Sequence, residues 1–204
     1  MAMLDNEEPR LCLSLNEEQL PNLFLIMQNG FWLKAKVGCS LHEFLIQELG
    51  LSNTFIEERI QTIFLDGKPV DDLATAIIKD GTSIALSSAM PGLVGAAMRR
   101  GGFYGTLRST ITYREEETQR VVLEGNIHLK LYNLLMVELG PLFLSKGICV
   151  ESSYLNGFLS DQPVSFWNGC RDMSINGKPV SKEQLLGPGT LTRHERTMLF
   201  ITAV

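Results

Sequence analysis

The chain has 204 residues, of which 45% are hydrophobic and 20% are charged, and its formal net charge is −5. A chain of this length can bury a core in one domain or in two small ones, and its composition excludes a disordered protein. The excess of acidic over basic residues, 23 against 18, disfavours nucleic acid as a partner. No apolar run reaches the roughly 18 residues of a membrane span. Met1 to Arg10 lacks the features of a secretory signal, so we expect a cytoplasmic protein without membrane contact.

The first predicted element, after an N-terminal extension over residues 1–19, is a β-hairpin. The apolar run Leu23 to Met27 precedes Asn29-Gly30, a dipeptide typical of two-residue hairpin turns. Phe31 to Val37 then alternates apolar residues with lysines, which is typical of a half-buried strand.

A helix is predicted next. Ser40 and Glu43 have the spacing of a capping box, apolar residues recur behind them at helical intervals, and Gly50 supplies a left-handed stop. An acidic connection is expected around Glu57 to Arg59.

Two further strands complete the first domain. Thr62 to Leu65 is followed by the turn Asp66-Gly67, and Thr82 to Ser87 follows the turn at Asp80-Gly81. One helix across a four-stranded mixed sheet is the compact way to bury these apolar faces.

These residues carry a resemblance to a known superfamily. Val37-Gly38-Cys39-Ser40-Leu41 before a capped helix, Phe64 to Val70, and Lys79 to Leu86 together resemble the β-grasp domains. Within that superfamily the chain is most similar to the thiamin and molybdopterin sulfur carriers, and more loosely to ubiquitin. The resemblance covers about residues 20–95, and it implies an α+β fold with a β-grasp (ubiquitin-like) domain there.

The composition changes after this domain. Met90 to Arg114, which we call the arginine segment, holds four arginines and no acidic residue among several glycines. We expect a Gly/Arg-rich linker over residues 96–118, with a short helix as the alternative. Glu115 to Glu117 is expected to cap an exposed turn.

Residues 119–204 are predicted to form a second α+β domain. Ile127 to Leu139 suits a buried helix after about Leu129, although its first residues alternate as in a strand. Ile148 to Glu151 and Met198 to Ala203 are predicted strands. Ile175-Asn176-Gly177-Lys178-Pro179-Val180 repeats the pattern of Leu65 to Val70, which leaves open a divergent β-grasp repeat or a turn sequence that recurs by chance.

The candidate site lies in the arginine segment. Arginine side chains bind phosphate and carboxylate groups in a bidentate manner, and glycines let backbone amides approach a ligand. We therefore predict a small-anion site; solvated arginines that balance the following glutamates are the alternative. The predicted ligand-binding residues are Arg99, Arg100, Arg108, Gly101 and Gly102.

No metal site, cofactor or catalytic residue is predicted. The four cysteines form no C-x-x-C pair, and the three histidines do not fall at metal-ligand spacing. Free, buried thiols are expected.

The favoured function is a non-catalytic binding or assembly module that binds a protein partner, a second copy of itself or a small anion. One alternative follows from the resemblance, because Arg99-Arg100-Gly101-Gly102 looks like the end of ubiquitin. A sulfur carrier works through a terminal Gly-Gly, whereas this chain ends at Val204, so that role would need processing after Gly102. The other alternative is an enzyme with an inter-domain site that uses Arg99 and Arg100, and Cys149 or His128 with them.

Overall fold

The structure is a computed structural model that describes residues 8–114 and 121–204. The fold is α+β with mixed β-sheet. Its strands are β1 (Arg10–Leu15), β2 (Phe31–Val37), β3 (Thr62–Leu65), β4 (Lys68–Pro69), β5 (Ser83–Ser87), β6 (Leu123–Tyr132), β7 (Ile148–Glu151), β8 (Cys170–Ile175), β9 (Lys178–Pro179) and β10 (Arg196–Ala203). Its α-helices are α1 (Phe24–Asn29), α2 (Leu41–Glu43), α3 (Asn53–Arg59), α4 (Gly92–Met98), α5 (Leu134–Lys146), α6 (Ser152–Ser160), α7 (Val164–Asn168) and α8 (Lys182–Leu185). A π-helical turn, Phe44–Glu48, continues α2, and 3-10 helices span Glu17–Leu23 and Phe103–Arg108.

The chain divides into two compact units. Unit 1 combines the residues up to Ile26 with Leu139–Val204, and unit 2 is Met27–Glu138. These boundaries cross the predicted segments 20–95 and 119–204, because β1 pairs with strands near the C-terminus and β6 pairs with strands of the first half. Glu115 to Glu117, the expected cap, lies outside the described residues.

The sheet of unit 2 has the strand order β4-β3-β5-β6-β2. β6 is antiparallel to β2 and parallel to β5, and β3 is antiparallel to both β4 and β5. The strand beside β2 is therefore β6, with Phe31 opposite Leu129.

The predicted hairpin at Leu23 to Val37 is wrong in its first half. Phe24–Asn29 is helical, and Gly30 has φ +110°. A five-residue apolar run does not distinguish a buried strand from a buried helix, and Asn-Gly is also compatible with the end of a helix.

The predicted helix of the first domain is confirmed. The Ser40 hydroxyl accepts from the Glu43 amide, the Glu43 carboxylate accepts from the Ser40 amide, and Gly50 has φ +73°. The apolar side chains of this helix are buried, and the π-helical turn contacts β2. The expected connection at Glu57 to Arg59 is instead the end of α3, whose N-terminus is capped by Ser52.

The sheet of unit 1 has the strand order β9-β8-β1-β10-β7. β10 is antiparallel to β7 and parallel to β1, and β8 is antiparallel to both β1 and β9. Strand for strand, this order and these directions match those of unit 2. α6 follows β7 as α2 follows β2, and it contacts β7 and β10.

The two recurring Gly-Lys-Pro sequences occupy the same place in the two sheets. Asp66 and Asn176 have φ 49° and 50°, and each is followed by a glycine with positive φ. The Asp66 Oδ1 atom accepts from the Ser83 amide at 2.8 Å, and the Asn176 Oδ1 atom accepts from the Arg10 amide at 2.8 Å. In both cases the turn is thus hydrogen-bonded to the first residue of the central strand, β5 or β1.

The predictions for the C-terminal half are confirmed in part. Ile127 to Tyr132 is the end of strand β6, so the helix begins at Leu134 rather than near Leu129. The predicted strands at Ile148 to Glu151 and at the C-terminus are confirmed.

Candidate functional site

The arginine segment is folded and lies within unit 2. Its alternative as a short helix is confirmed, since it holds α4 and the 3-10 helix Phe103–Arg108, which contact each other. Gly95 is required by packing, because a Cβ atom there would lie 2.0 Å from the Met90 carbonyl oxygen. The loop between the helices turns at Gly101, which has φ +61°.

Arg108 fixes the position of this loop. Its guanidinium donates to both carboxylate oxygens of Asp71, at 2.7 and 3.0 Å, and to the hydroxyl of Thr112 at 2.9 Å. It also donates to the carbonyl oxygens of Ala97 and Arg99, at 2.7 and 3.3 Å. A guanidinium has five N–H donors, so no donor of this buried side chain remains for a ligand. The predicted anion-binding role of Arg108 is therefore replaced by a role in positioning the loop.

The other predicted site residues come together around one cavity. Arg99, Arg100, Gly101 and Gly102 all line a surface cavity of about 600 Å³. The rest of its lining comes from the starts and ends of neighbouring elements, namely Gln61, Thr62, Ala89, Met90, Gly92, Gly95, Ala96, Phe103 and Tyr104. None of these residues is acidic, so the two arginines give the cavity a net positive charge.

The two arginines differ in their surroundings. Arg99 is exposed, and Arg100 is half-buried. One Nη atom of Arg100 donates to the Ile56 carbonyl oxygen at 3.1 Å, and its amide donates to the Gln61 carbonyl oxygen at 2.8 Å. Burial lowers the pKa of the Arg100 guanidinium, against the opposing effect of Glu57 and Asp71. A partly desolvated cation of this kind gains more from an anionic partner than a solvated one does.

Among the lining residues that were not predicted from the sequence, three carry a hydroxyl group or an aromatic ring. Thr62 is the first residue of β3, and Phe103 and Tyr104 begin the 3-10 helix beyond Gly102. The rings of Phe103 and Tyr104 meet edge to face, 5.2 Å apart. No short sequence pattern marks these three residues as ligand-binding. Their proximity to Arg99 depends on how the arginine segment folds against β3.

A second cavity lies on the open face of the unit 2 sheet. It measures about 460 Å³ and is lined by strand residues that include Phe64, Ala85, Lys130 and Tyr132. Met90 and Pro91, at the start of the arginine segment, also line it. The arginine segment thus borders both cavities.

Exposed apolar side chains cluster in the arginine segment. Leu93 and Leu107 are 69% and 70% exposed, and Val94 and Ile111 are also exposed. We call these four residues the apolar patch.

Other chemistry is sparse in the described part of the chain. It contains no group of three or more histidine, cysteine or acidic side chains placed to hold a metal ion. All four cysteines are free, as predicted, but only Cys149 is buried, and Cys12, Cys39 and Cys170 are half-buried. Burial raises the pKa of the Cys39 and Cys170 thiols, which makes both thiols less nucleophilic at neutral pH.

Within residues 8–114 and 121–204, no helix has the length and apolar character needed to cross a bilayer. Comparison of the chain with protein-family models, with curated proteins and with solved structures finds no match.

Proposed function

We propose that this protein is a non-catalytic binding module built on β-grasp-like units, and that the cavity at Arg99 and Arg100 receives a small anionic ligand. The observation that carries this proposal is the cavity itself. It brings two cations together, and none of its described lining residues carries a carboxylate. Guanidinium groups recognise phosphate and carboxylate groups in proteins, whereas the Gly101 and Gly102 amides already donate to Asp71 and to the Arg99 carbonyl oxygen.

The β-grasp assignment is supported by the strand arrangement. In a β-grasp sheet an antiparallel pair is followed by a helix, and the last strand lies parallel to the first. β6, β2, α2, β3, β4 and β5 take these places in unit 2 if β6 is counted as the first strand. In unit 1 the corresponding elements are β10, β7, α6, β8, β9 and β1, with β10 counted as the first strand. Together with the matching Asp66 and Asn176 turns, this supports a divergent repeat in which the first strand of each unit comes from a later part of the chain.

A non-catalytic role is supported by the chemistry of the cavity lining. Its polar side chains are arginine, threonine, glutamine and tyrosine, and none of the lining residues that the structure describes is an acid, histidine or cysteine. Such a lining binds and orients a ligand but offers no general base or nucleophile of ordinary reactivity near neutral pH.

Isothermal titration calorimetry of the full chain with phosphate, dicarboxylates and nucleotides tests the proposal. At least one anion should bind to the wild type, and Arg99→Ala should weaken its affinity by about tenfold, the loss of one charge-assisted contact. Arg114→Ala is the matched control, because Arg114 is an exposed arginine of the same segment that does not line the cavity. Equal affinity of the Arg99→Ala and Arg114→Ala variants, or no binding of any anion, would refute the proposal.

Assembly with a protein partner or a second copy is a further candidate, and the apolar patch favours it. Exposed apolar surface of this kind is often an interaction site. If the patch mediates a homodimer, Leu93→Asp combined with Leu107→Asp should convert the dimer to a monomer in light scattering. Leu25→Asp is the control, because Leu25 is an exposed leucine outside the patch. A wild type that is monomeric at all accessible concentrations would exclude the homodimer.

Two hypotheses stay predictions. Processing after Gly102 would cut a turn in which the Gly101 amide donates to Asp71 and the Gly102 amide donates to the Arg99 carbonyl oxygen. An enzyme that uses Arg99 and Arg100 would have to act without an acid, histidine or cysteine among the described residues that line the cavity.

A further inference from the structure

The lining of the arginine cavity contains a buried hydroxyl that no group of the described residues satisfies. Thr62 is 1% exposed, and among the described residues its Oγ1 atom has no hydrogen-bond partner. A buried hydroxyl without a partner is costly, so such groups usually meet water, an ion or a ligand. Thr62 is one of the residues that line the cavity, as are Arg99 and Arg100.

An exposed aromatic ring forms another part of the same lining. Phe103 is 89% exposed, which is unusual for a large hydrophobic side chain. It follows Gly102 directly, its ring contacts that of Tyr104 edge to face, and its helix ends at the fully hydrogen-bonded Arg108. The exposed ring offers a planar ligand apolar area and a face for stacking.

The size of the cavity exceeds what an inorganic anion needs. A volume of about 600 Å³ lies within the range of sites for organic ligands and cofactors, which is roughly 300 to 1,000 Å³. Gly92 leaves part of this space open, because nothing lies within 4 Å of the position that its Cβ atom would take.

We propose that the cavity binds a small organic molecule in which an anionic group is joined to a planar aromatic ring. Arg99 and Arg100 hold the anion, Phe103 contacts the ring, and a polar group of the ligand exchanges a hydrogen bond with the Thr62 hydroxyl. This inference rests on the proposed function and names the ligand class for that site. Nucleotides and aromatic carboxylates share the required chemistry, and the test separates them.

Calorimetry of the full chain with four probes tests the ligand class. AMP and 4-hydroxybenzoate carry both an anion and a ring, whereas phosphate lacks the ring and adenosine lacks the anion. We expect AMP or 4-hydroxybenzoate to bind at least tenfold more tightly than both phosphate and adenosine, and the tighter of the two identifies the source of the ring. If phosphate binds as tightly as both ring-bearing anions, the proposed anion site stands and the inference about the ring is overturned. If none of the four probes binds, both are overturned.

Two pairs of variants test the contacts with the tighter probe. Phe103→Ala should weaken its binding at least fivefold and leave phosphate binding unchanged, whereas Leu107→Ala, an exposed residue of the same helix outside the cavity, should leave both unchanged. Thr62→Val should weaken binding at least fivefold, and Thr62→Ser, which keeps the hydroxyl, should retain it within threefold. Unchanged affinity in Phe103→Ala or in Thr62→Val would overturn the corresponding contact, and unchanged affinity in both would overturn the assignment.

Discussion

Arg108 and Asp71 form a bidentate ion pair that joins the arginine segment to the residues that follow β4. The Arg108 side chain is 2% exposed and the Asp71 side chain is 40% exposed. Asp71 also accepts from the Gly101 amide at 3.2 Å, so one carboxylate binds both the loop that carries Arg99 and Arg100 and the end of the 3-10 helix that follows it. The proposed anion site thus depends on an arginine that would not itself bind the ligand.

Arg108→Met is expected to lower the free energy of unfolding by about 3 kcal/mol, because it removes the buried partner of a half-exposed carboxylate and leaves the Ala97 and Arg99 carbonyl oxygens without their donor. Urea denaturation of wild type and variant measures this loss. Arg114→Met, which changes an exposed arginine, should stay within about 0.5 kcal/mol of wild type. Similar losses in the two variants would show that the Arg108 contacts do not stabilise the fold.

The same ion pair makes stability depend on pH. Burial alone would raise the pKa of Asp71, but the hydrogen bonds from Arg108 and Gly101 and the charges of Arg108 and Arg100 outweigh it, so the pKa lies below its ordinary value of 3.8. A carboxylate with a lowered folded-state pKa contributes stability above its unfolded pKa, and this contribution is lost as the pH falls through the folded pKa.

Asp71→Asn removes this titration and keeps the side-chain shape. We expect the variant to be less stable than wild type by about 1–2 kcal/mol at pH 7, since Asp71 is partly exposed and the pair is screened. The stability difference should narrow below about pH 4, where Asp71 of the unfolded wild-type chain begins to protonate while the folded protein, with its lower pKa, still holds the charge. Urea titrations between pH 3 and pH 7 measure the difference in free energy of unfolding between the two proteins. A difference that is constant over this range would contradict the lowered pKa of Asp71.

Local signals in the sequence were sufficient for much of unit 2. The capping box at Ser40, the strand Thr62 to Leu65 and the turn at Asp66 depend on neighbouring residues, and each is confirmed. Strand partners depend on contacts across the chain, and no local pattern identifies them. The sequence predicted the apolar run Leu23 to Met27 as the partner of strand β2. The partner is instead β6, which follows β2 much later in the chain.

The candidate site shows the same division. Its charge was visible as four arginines without a neighbouring acid, and the structure brings Arg99 and Arg100 to one cavity. The distant carboxylate of Asp71, which engages Arg108, lies 37 residues earlier in the chain. Thr62 is the first residue of a predicted strand, and nothing in its local sequence indicates that it lines a cavity.

The matching turns of the two units give a prediction for the proposed repeat. Asp66→Ala and Asn176→Ala each place alanine at a left-handed φ of 49° or 50° and remove the bond to the central strand. Each should cost about 1–2 kcal/mol, from the lost hydrogen bond and the lost tolerance of the left-handed conformation. Thermal unfolding of both variants tests this, with Asp161→Ala, an exposed aspartate with a right-handed backbone, as control. A loss in one turn and none in the other would show that the two turns are not equivalent in their contribution to stability.

The preceding variants are expected to lose stability, whereas substitution of Thr62, whose hydroxyl has no partner among the described residues, is expected to increase it. In the absence of ligand, Thr62→Val removes a buried group without a partner and keeps the shape of the side chain, so it should raise the free energy of unfolding by about 1 kcal/mol. Thr82→Val is the control, because the buried Thr82 hydroxyl accepts from the Lys79 amide at 3.0 Å and its loss should destabilise the protein instead. Urea denaturation of the ligand-free variants compares the two signs. If Thr62→Val stabilises the ligand-free protein and weakens ligand binding, the hydroxyl serves binding at a cost in stability. If Thr62→Val destabilises the ligand-free protein, the hydroxyl contributes to the stability of the fold instead.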